Sequence, residues 1–557
     1  MWCQQYRCFL PILGIMTCFS LYMMTYVDLP TYKTVLSIKN SFMITRKILG
    51  INDQRNETQN IIIPEFKDIK NQRLDAPSVF TWGSDLHRMG LIDVKKSVFN
   101  LTRQVIRRGE TFSIIINAHD QYGRQRVRGG DFLFATLNST DSSIPGKVID
   151  FNNGTYEVIF FAAWTGTTTI NITLVHTFEA IHFLKTVLWP MEKRVFWTGT
   201  FALNNISELT LCEVKSVGTW DNKCEFPEPG ALGGNILLCE KPKTLPCSSL
   251  VAITSKGSGV DVKAAIFNKL REKHADIFLK NASYVQFTNG PKQLIIQESE
   301  VKWIREAKNI RDVISIRPCG PDLPLPLSDG FWSGKKWNSF ACDTKRWTAG
   351  QIRKCLRGKR LFFTGDSTTR QWGDELLNIL GLKPTTYSRY FTKLHNGIIN
   401  FQFRFHKYWL GSVKEGVHDG QFESDLLDNL TSSDCEYIVV ISPWAHYCQW
   451  TRISFTERLL YIKSAIKRFR ARCPDAPVII KTSHPRFHGY GGIIPMSSDG
   501  MLFEFRRMLQ EIFSGMGLHF IDIWAMNLAY PVPNEVHMPV QVIHEELQMF
   551  FTHVCNS

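Results

Sequence analysis

Residues 360–372 read RLFFTGDSTTRQW, and the parsing of this stretch decides the fold of the C-terminal part of the chain. Leu361, Phe362 and Phe363 form a short apolar run, and Gly365 permits a tight turn. Trp372, Leu376, Leu377 and Leu380 then recur at helical spacing. The pattern predicts a strand that breaks at a glycine and restarts as a helix with Ser367 in its first turn. There a hydroxyl meets the unpaired N–H groups and the positive end of the helix dipole, an environment that stabilises an oxyanion. Serine is also a favoured N-cap. The stretch alone leaves Ser367 a nucleophile or a cap, and a partner histidine has to separate the two.

Three more apolar runs follow, YIVVIS (437–442), PVIIKT (477–482) and LHFIDIW (518–524). Between the second and third strands lies a helical pattern with Leu459, Ile462, Ile466 and Phe469 on one face. Another, with Leu502, Phe505, Leu509 and Ile512, precedes the last strand. Such alternation predicts a three-layer α/β domain over 346–557, its mostly parallel sheet covered on both sides. Ligands of such sheets bind beyond the carboxyl ends of the strands. Ser367 follows the first strand, SPWAHY (442–447) the second, SHPR (483–486) the third and NEVH (534–537) the fourth. All four polar clusters are expected on one rim.

Upstream the chain reads differently. TFSIIINAHD and TYEVIFFAAWTGTTTINITLVHT are rich in β-branched and aromatic residues, and an Asn-Gly pair in DFNNGTY marks a turn, which predicts an Ig-like β-sandwich over 76–204. Cysteines gather with Trp, Pro and Gly over 205–345, read as a disulfide-tied extension, and residues 28–75 are polar and stem-like. Residues 8–27 carry no charge and are long enough to cross a bilayer as a signal anchor behind a short cytoplasmic tail, 1–7. N-glycosylation sequons stand at Asn56, Asn100, Asn138, Asn153, Asn171, Asn205, Asn281 and Asn429, and eleven cysteines lie beyond the anchor. Together these predict a single-pass type II membrane protein, held by one helix, with a luminal or extracellular body in the Golgi or at the cell surface. Cleavage of the anchor would give a secreted form. The odd cysteine count leaves one thiol free or intermolecular. The net charge of +14 is scattered, without basic run, RNP pattern or zinc-knuckle spacing, so no nucleic-acid partner is expected. No paired ligand spacing indicates a metal.

TGDSTTRQW (364–372), WAHY (444–447) and PNEVHMP (533–539) together resemble the PC-esterase group of SGNH-type (flavodoxin-like) hydrolases and acyltransferases. DQYGRQRVRGGDFL (120–133) and GKVIDFNNGTYEV (146–158) resemble the neurexophilin-type domain, and the pair in series resembles the neurexophilin and PC-esterase domain (NXPE) family. The resemblance implies a serine that attacks an acyl group, a histidine that takes its proton, and an acceptor three residues before that histidine. On this chain these are Ser367, His537 and Asn534, an amide where the family pattern has Asp. An amide accepts from imidazole but does not stabilise imidazolium as a carboxylate does. Asp522 and Glu535 are nearby substitutes in sequence. Gly365 belongs to the oxyanion turn. Arg370, one turn after Ser367, either forks onto a substrate carboxylate or phosphate or pairs with Asp366 or Asp374. His446 either donates near the oxyanion or is a hydrogen-bonded strand-end histidine; His484 is expected on the rim.

Two functions follow from the resemblance. One is a glycan O-acetyltransferase or acetylesterase, with sialic acid a candidate acceptor. It would bind no cofactor, an acyl donor such as acetyl-CoA serving as co-substrate, and act on a glycan or glycoprotein. The other is a catalytically impaired glycoprotein that binds an extracellular protein partner through its sandwich.

Overall fold

The strand Arg360–Gly365 is the middle of a seven-stranded sheet in the computed structural model. The structure describes residues 60–65, 90–190, 196–216, 221–228, 235–256, 275–278, 282–396, 399–408, 414–416, 419–487, 498–532 and 535–555. This strand pairs in parallel with Asn400–Phe405 on one side and Tyr437–Ser442 on the other. Val478–Lys481 and His519–Ile521 continue the parallel run. Side chains alternate across the sheet. Phe363, Val440 and Ile479 face Trp372, Leu376, Leu547 and Phe550 of the helices Ser367–Ile379 and Val540–Cys555. Val439, Ile441 and Ile480 face Leu459, Ile462, Leu502 and Phe505 of Arg452–Arg472 and Asp499–Phe513.

The expected fold class is corrected: the described chain is not a mostly parallel α/β protein, because most of its strands pair antiparallel. The sheet of Val98–Leu101, Thr111–Asn117, Thr155–Phe161 and Lys147–Asp150 is wholly antiparallel. It shares a core of Ile114, Ile116, Leu137, Val158 and Ile172 with an eight-stranded sheet, in which only the pairing of Gln293–Gln297 with Ile106–Arg107 is parallel. That larger sheet also takes in the hairpin Gly330–Ser333/Lys336–Ser339. A third, six-stranded antiparallel sheet is built from residues 196–256 and closed by Lys414–Gly416. Even the seven-stranded sheet ends in an antiparallel pair, Thr386–Tyr387 and Phe391–His395.

Local chemistry explains the difference. Phe196–Leu203 and Ile206–Ser216 pair tightly around Asn204 and Asn205, whose φ angles of 47° and 66° are those of a two-residue primed hairpin turn. Asn tolerates that left-handed conformation, so the chain reverses where no glycine signals it. Asn400–Phe405 is half polar, with every second residue buried, and no helix precedes it to announce a parallel strand.

The expected type II membrane protein is corrected as well. Among the described residues no helix is long and apolar enough to cross a membrane. The stretch 8–27 on which the anchor rested, the tail 1–7 and most of the stem lie outside the described residues.

Five disulfides, Cys212–Cys239, Cys224–Cys247, Cys319–Cys342, Cys355–Cys555 and Cys435–Cys473, use ten of the eleven cysteines beyond residue 28, and Cys448 is the eleventh. Of the sequon asparagines, Asn100, Asn153, Asn205 and Asn429 are exposed and Asn138 and Asn171 half-buried; Asn56 and Asn281 lie outside the described residues.

Candidate active site

Gly365 ends its strand against two neighbours. A Cβ there would stand 2.4 Å from Thr369 Oγ1 and 2.9 Å from the Ser442 carbonyl oxygen, so close approach is what requires the glycine. Asp366 then caps the helix: its side chain accepts from Thr368 N at 2.8 Å and from Thr368 Oγ1 at 2.7 Å. Its other oxygen accepts from Ala445 N at 3.1 Å, tying the loop after Tyr437–Ser442 to the turn. Capping therefore falls to Asp366 and leaves the hydroxyl of Ser367 available. That hydroxyl lies 2.7 Å from His537 Nε2. As the first helical residue, Ser367 has a backbone N–H without an intrahelical acceptor.

The charge around this pair is mixed. Lys481 is fully buried under the turn, donates to Thr368 Oγ1 at 3.2 Å and lies against the rings of Trp372 and Trp444. Burial lowers its pKa, and Glu546 and Asp366 oppose that shift. Glu546 in turn accepts from Trp372 Nε1 at 2.5 Å and Asn527 Nδ2 at 2.9 Å. His537 is exposed overall, but desolvation beside Ser367 lowers its pKa; Asp366 works against this, while Arg370, Arg486 and Arg389 add to it. The charges of these three arginines thus favour the neutral, proton-accepting form of the imidazole.

The other expected residues divide. His446 is half-buried near this pair, with its pKa pushed down to about 4 by desolvation, against the pull of Asp366. Arg370 pairs at 3.7 Å with Asp374, not Asp366, and donates to the Arg389 carbonyl at 2.9 Å. Asn534 lies outside the described residues. Asp522 is engaged elsewhere: its carboxylate takes Arg506 Nε at 2.9 Å, Gln510 at 3.0 Å and Thr482 at 3.1 Å. Glu535 is exposed. His484 is buried against the edge of Trp444 with its Nδ1 on the Pro485 carbonyl, not on an open rim. Cys319, Cys342 and His553 bring ligand atoms within 4.8 Å of one another, but both sulfurs are spent in a disulfide.

Sequence reasoning missed Lys481, Arg389 and His406, and gave Arg486, within SHPR, no role. His406 directly follows Asn400–Phe405 and donates its backbone N–H to the Gly365 carbonyl at 3.0 Å. Reading NFQFRF as a strand would have put it on the same rim.

Residues 337–555 match the family model described as NXPE family member 4-like, C-terminal domain, and residues 104–263 match the neurexophilin model. Among solved structures, a phospholipase A1 from Streptomyces albidoflavus is 12% identical over 34% of this chain and 96% of its own, with a TM-score of 0.19. The Escherichia coli adhesin FdeC is 10% identical over 37% of this chain and 65% of its own, with a TM-score of 0.13. Invasin, a bacterial integrin-binding protein, is 14% identical over 38% and 41%, also with a TM-score of 0.13. These structural likenesses are too slight to bear on function.

Proposed function

The chain belongs to the NXPE family, with a neurexophilin domain ahead of the family's C-terminal domain, and from that premise we propose that it transfers or removes acyl groups on glycan hydroxyls through Ser367. The 2.7 Å approach of His537 Nε2 to Ser367 Oγ carries this reading. His537 takes the hydroxyl proton as Oγ attacks the acyl carbonyl. The oxyanion forms beside the N–H groups at the start of the helix. His537 returns the proton to the leaving group, and an acyl-serine remains. An acceptor hydroxyl, or water, then gives its proton to His537, attacks the ester and releases Ser367. Arg370, Arg389 and Arg486, whose charges act on the imidazole, favour an anionic partner, such as a sialic acid carboxylate or the phosphates of acetyl-CoA. The test is incubation of the purified protein with an acetyl donor and a sialylated glycoprotein. New O-acetyl esters are expected, and none from Ser367→Ala; equal ester formation by both would refute the assignment.

Asn534, an amide where the family pattern has Asp, favours a second reading. A serine–histidine pair without its carboxylate loses about 10⁴-fold in rate. On this reading the protein is a binding glycoprotein working through its neurexophilin domain, a domain type that points to protein binding in general.

A further inference from the structure

Arg486 lies in the loop after the strand Val478–Lys481, and its charge acts on both His537 and His446. Its backbone N–H donates to Asp499 Oδ1 at 2.6 Å, and the other oxygen of that carboxylate accepts from Tyr284 Oη at 2.8 Å. The Tyr284 ring also stands edge-on to Phe487, with centroids 4.8 Å apart. Tyr284 thus meets the loop twice, through the carboxylate that binds Arg486 and through the side chain that follows it.

Tyr284 comes from the sandwich side of the molecule. It directly precedes Val285–Gln286, a short strand that pairs antiparallel with Gly166–His176 in the eight-stranded sheet, and Phe287 N donates to the Ile172 carbonyl at 2.9 Å. Its φ of 54° is left-handed, a conformation that a Cβ disfavours and that a bulky residue keeps only where its surroundings over-determine it. Asp499 is pinned from the same side. It is buried in the first turn of the helix Asp499–Phe513. At the next residue, Gly500, a Cβ would stand 2.7 Å from Ile181 Cδ1 and 3.2 Å from His176 Cδ2, so the helix begins directly against the sandwich. Phe503 packs on Phe132 with centroids 5.3 Å apart, and Glu504 pairs with Lys185 at 3.3 Å. Phe132, His176, Ile181 and Lys185 all lie within the residues matched by the neurexophilin model.

We propose that the neurexophilin domain positions Arg486 for the anionic group of the substrate, with Tyr284 and Asp499 as positioning residues and Arg486 as the contact. A guanidinium recognises a carboxylate or phosphate through a fixed fork, so the setting of its backbone is felt in affinity. The inference rests on the acyl-transfer reading above for the class of substrate. It gives the sandwich a part in that reaction and accounts for the two domains packing as one body at this helix.

Binding is measured without turnover, by calorimetry on the full chain carrying Ser367→Ala. Sialyllactose is compared with its methyl ester, and coenzyme A with pantetheine, so that the two arms separate a carboxylate from a phosphate. In one arm the charged ligand is expected to bind about tenfold more tightly than its neutral counterpart, the scale of a charge-assisted hydrogen bond. Adding Arg486→Gln should abolish that preference, and adding Tyr284→Phe, which removes only the hydroxyl, should lower it about threefold to fivefold. The two together should lose no more than Arg486→Gln alone, because the tyrosine acts through the arginine. Asp499→Asn, which leaves the tyrosine in place, should lower the preference as Tyr284→Phe does, and so tests the route even if Tyr284→Phe does not fold. No preference for either anion, a preference that survives Arg486→Gln, or losses from Tyr284 and Arg486 that add would each overturn the proposal. A wild-type Ser367 that never takes a fluorophosphonate would remove the acyl-transfer reading, while the binding results would still decide whether the sandwich sets Arg486.

Discussion

At the scale of single residues, Ser367 and His537 were legible because Gly-Asp-Ser at a strand end and a late histidine carry their own chemistry. His406 and Lys481 were not, since a histidine after an unrecognised strand and a lysine inside an apolar run look like ordinary surface or strand residues. The three arginines lead to a pH prediction. They help hold the His537 pKa below its ordinary value, so Arg370→Gln should let it rise and move the acid limb of the pH–rate profile to higher pH. An unmoved limb would mean that Arg370 does not act on the imidazole. A second pH effect sits at Asp499, which accepts from Arg486 N at 2.6 Å and Tyr284 Oη at 2.8 Å and so holds the loop carrying Arg486. Burial pushes its pKa up to about 7, against the pull of those hydrogen bonds. A raised carboxyl pKa gives stability that is full below the unfolded value and is lost as pH rises through the folded one. The stability of Asp499→Asn relative to wild type should therefore increase as pH is raised from 4 to 8, read by thermal unfolding; parallel profiles would contradict this.

At the scale of elements, the four apolar runs after residue 350 were readable because each is a continuous apolar stretch, two of which, Tyr437–Ser442 and Val478–Lys481, are wholly buried. A half-polar strand without a β-branched run was not. Asn400–Phe405, with its alternating burial, is such a strand. The hairpin around Asn204 and Asn205 escaped for a different reason, its turn lacking glycine. The strand-to-helix turn should be intolerant of any side chain at Gly365. The Cβ of Gly365→Ala would press on Thr369 Oγ1 and the Ser442 carbonyl, at a cost of about 1–3 kcal/mol, typical of overpacking. Denaturant unfolding checks the cost. A variant as stable as wild type would mean that the turn has room to relax.

At the scale of the whole molecule, cross-links and buried imidazoles set the conditions under which the fold survives. Cys355–Cys555 spans 200 residues and joins the helix Ala349–Cys355 to the C-terminal helix. Loop entropy alone gives it an upper limit of about 5 kcal/mol. The pairing was beyond sequence, because eleven cysteines do not reveal their connectivity. His176, His484 and His553 have pKa values pushed down to about 3, and His446 to about 4, by burial. Each is neutral in the fold and takes a proton near pH 6.5 once unfolded, so stability present above that pH is lost as pH falls. Acid titration should show stability declining from about pH 6.5 downward, and a fold unaffected down to pH 4 would contradict the burial of these rings. The central claim, that Ser367 is an activated nucleophile, is tested most directly by intact-mass analysis of the purified protein after reaction with a fluorophosphonate. A single adduct on Ser367, absent in Ser367→Ala and strongly slowed in His537→Ala, is the expected result. No adduct, or one that persists in Ser367→Ala, would contradict it.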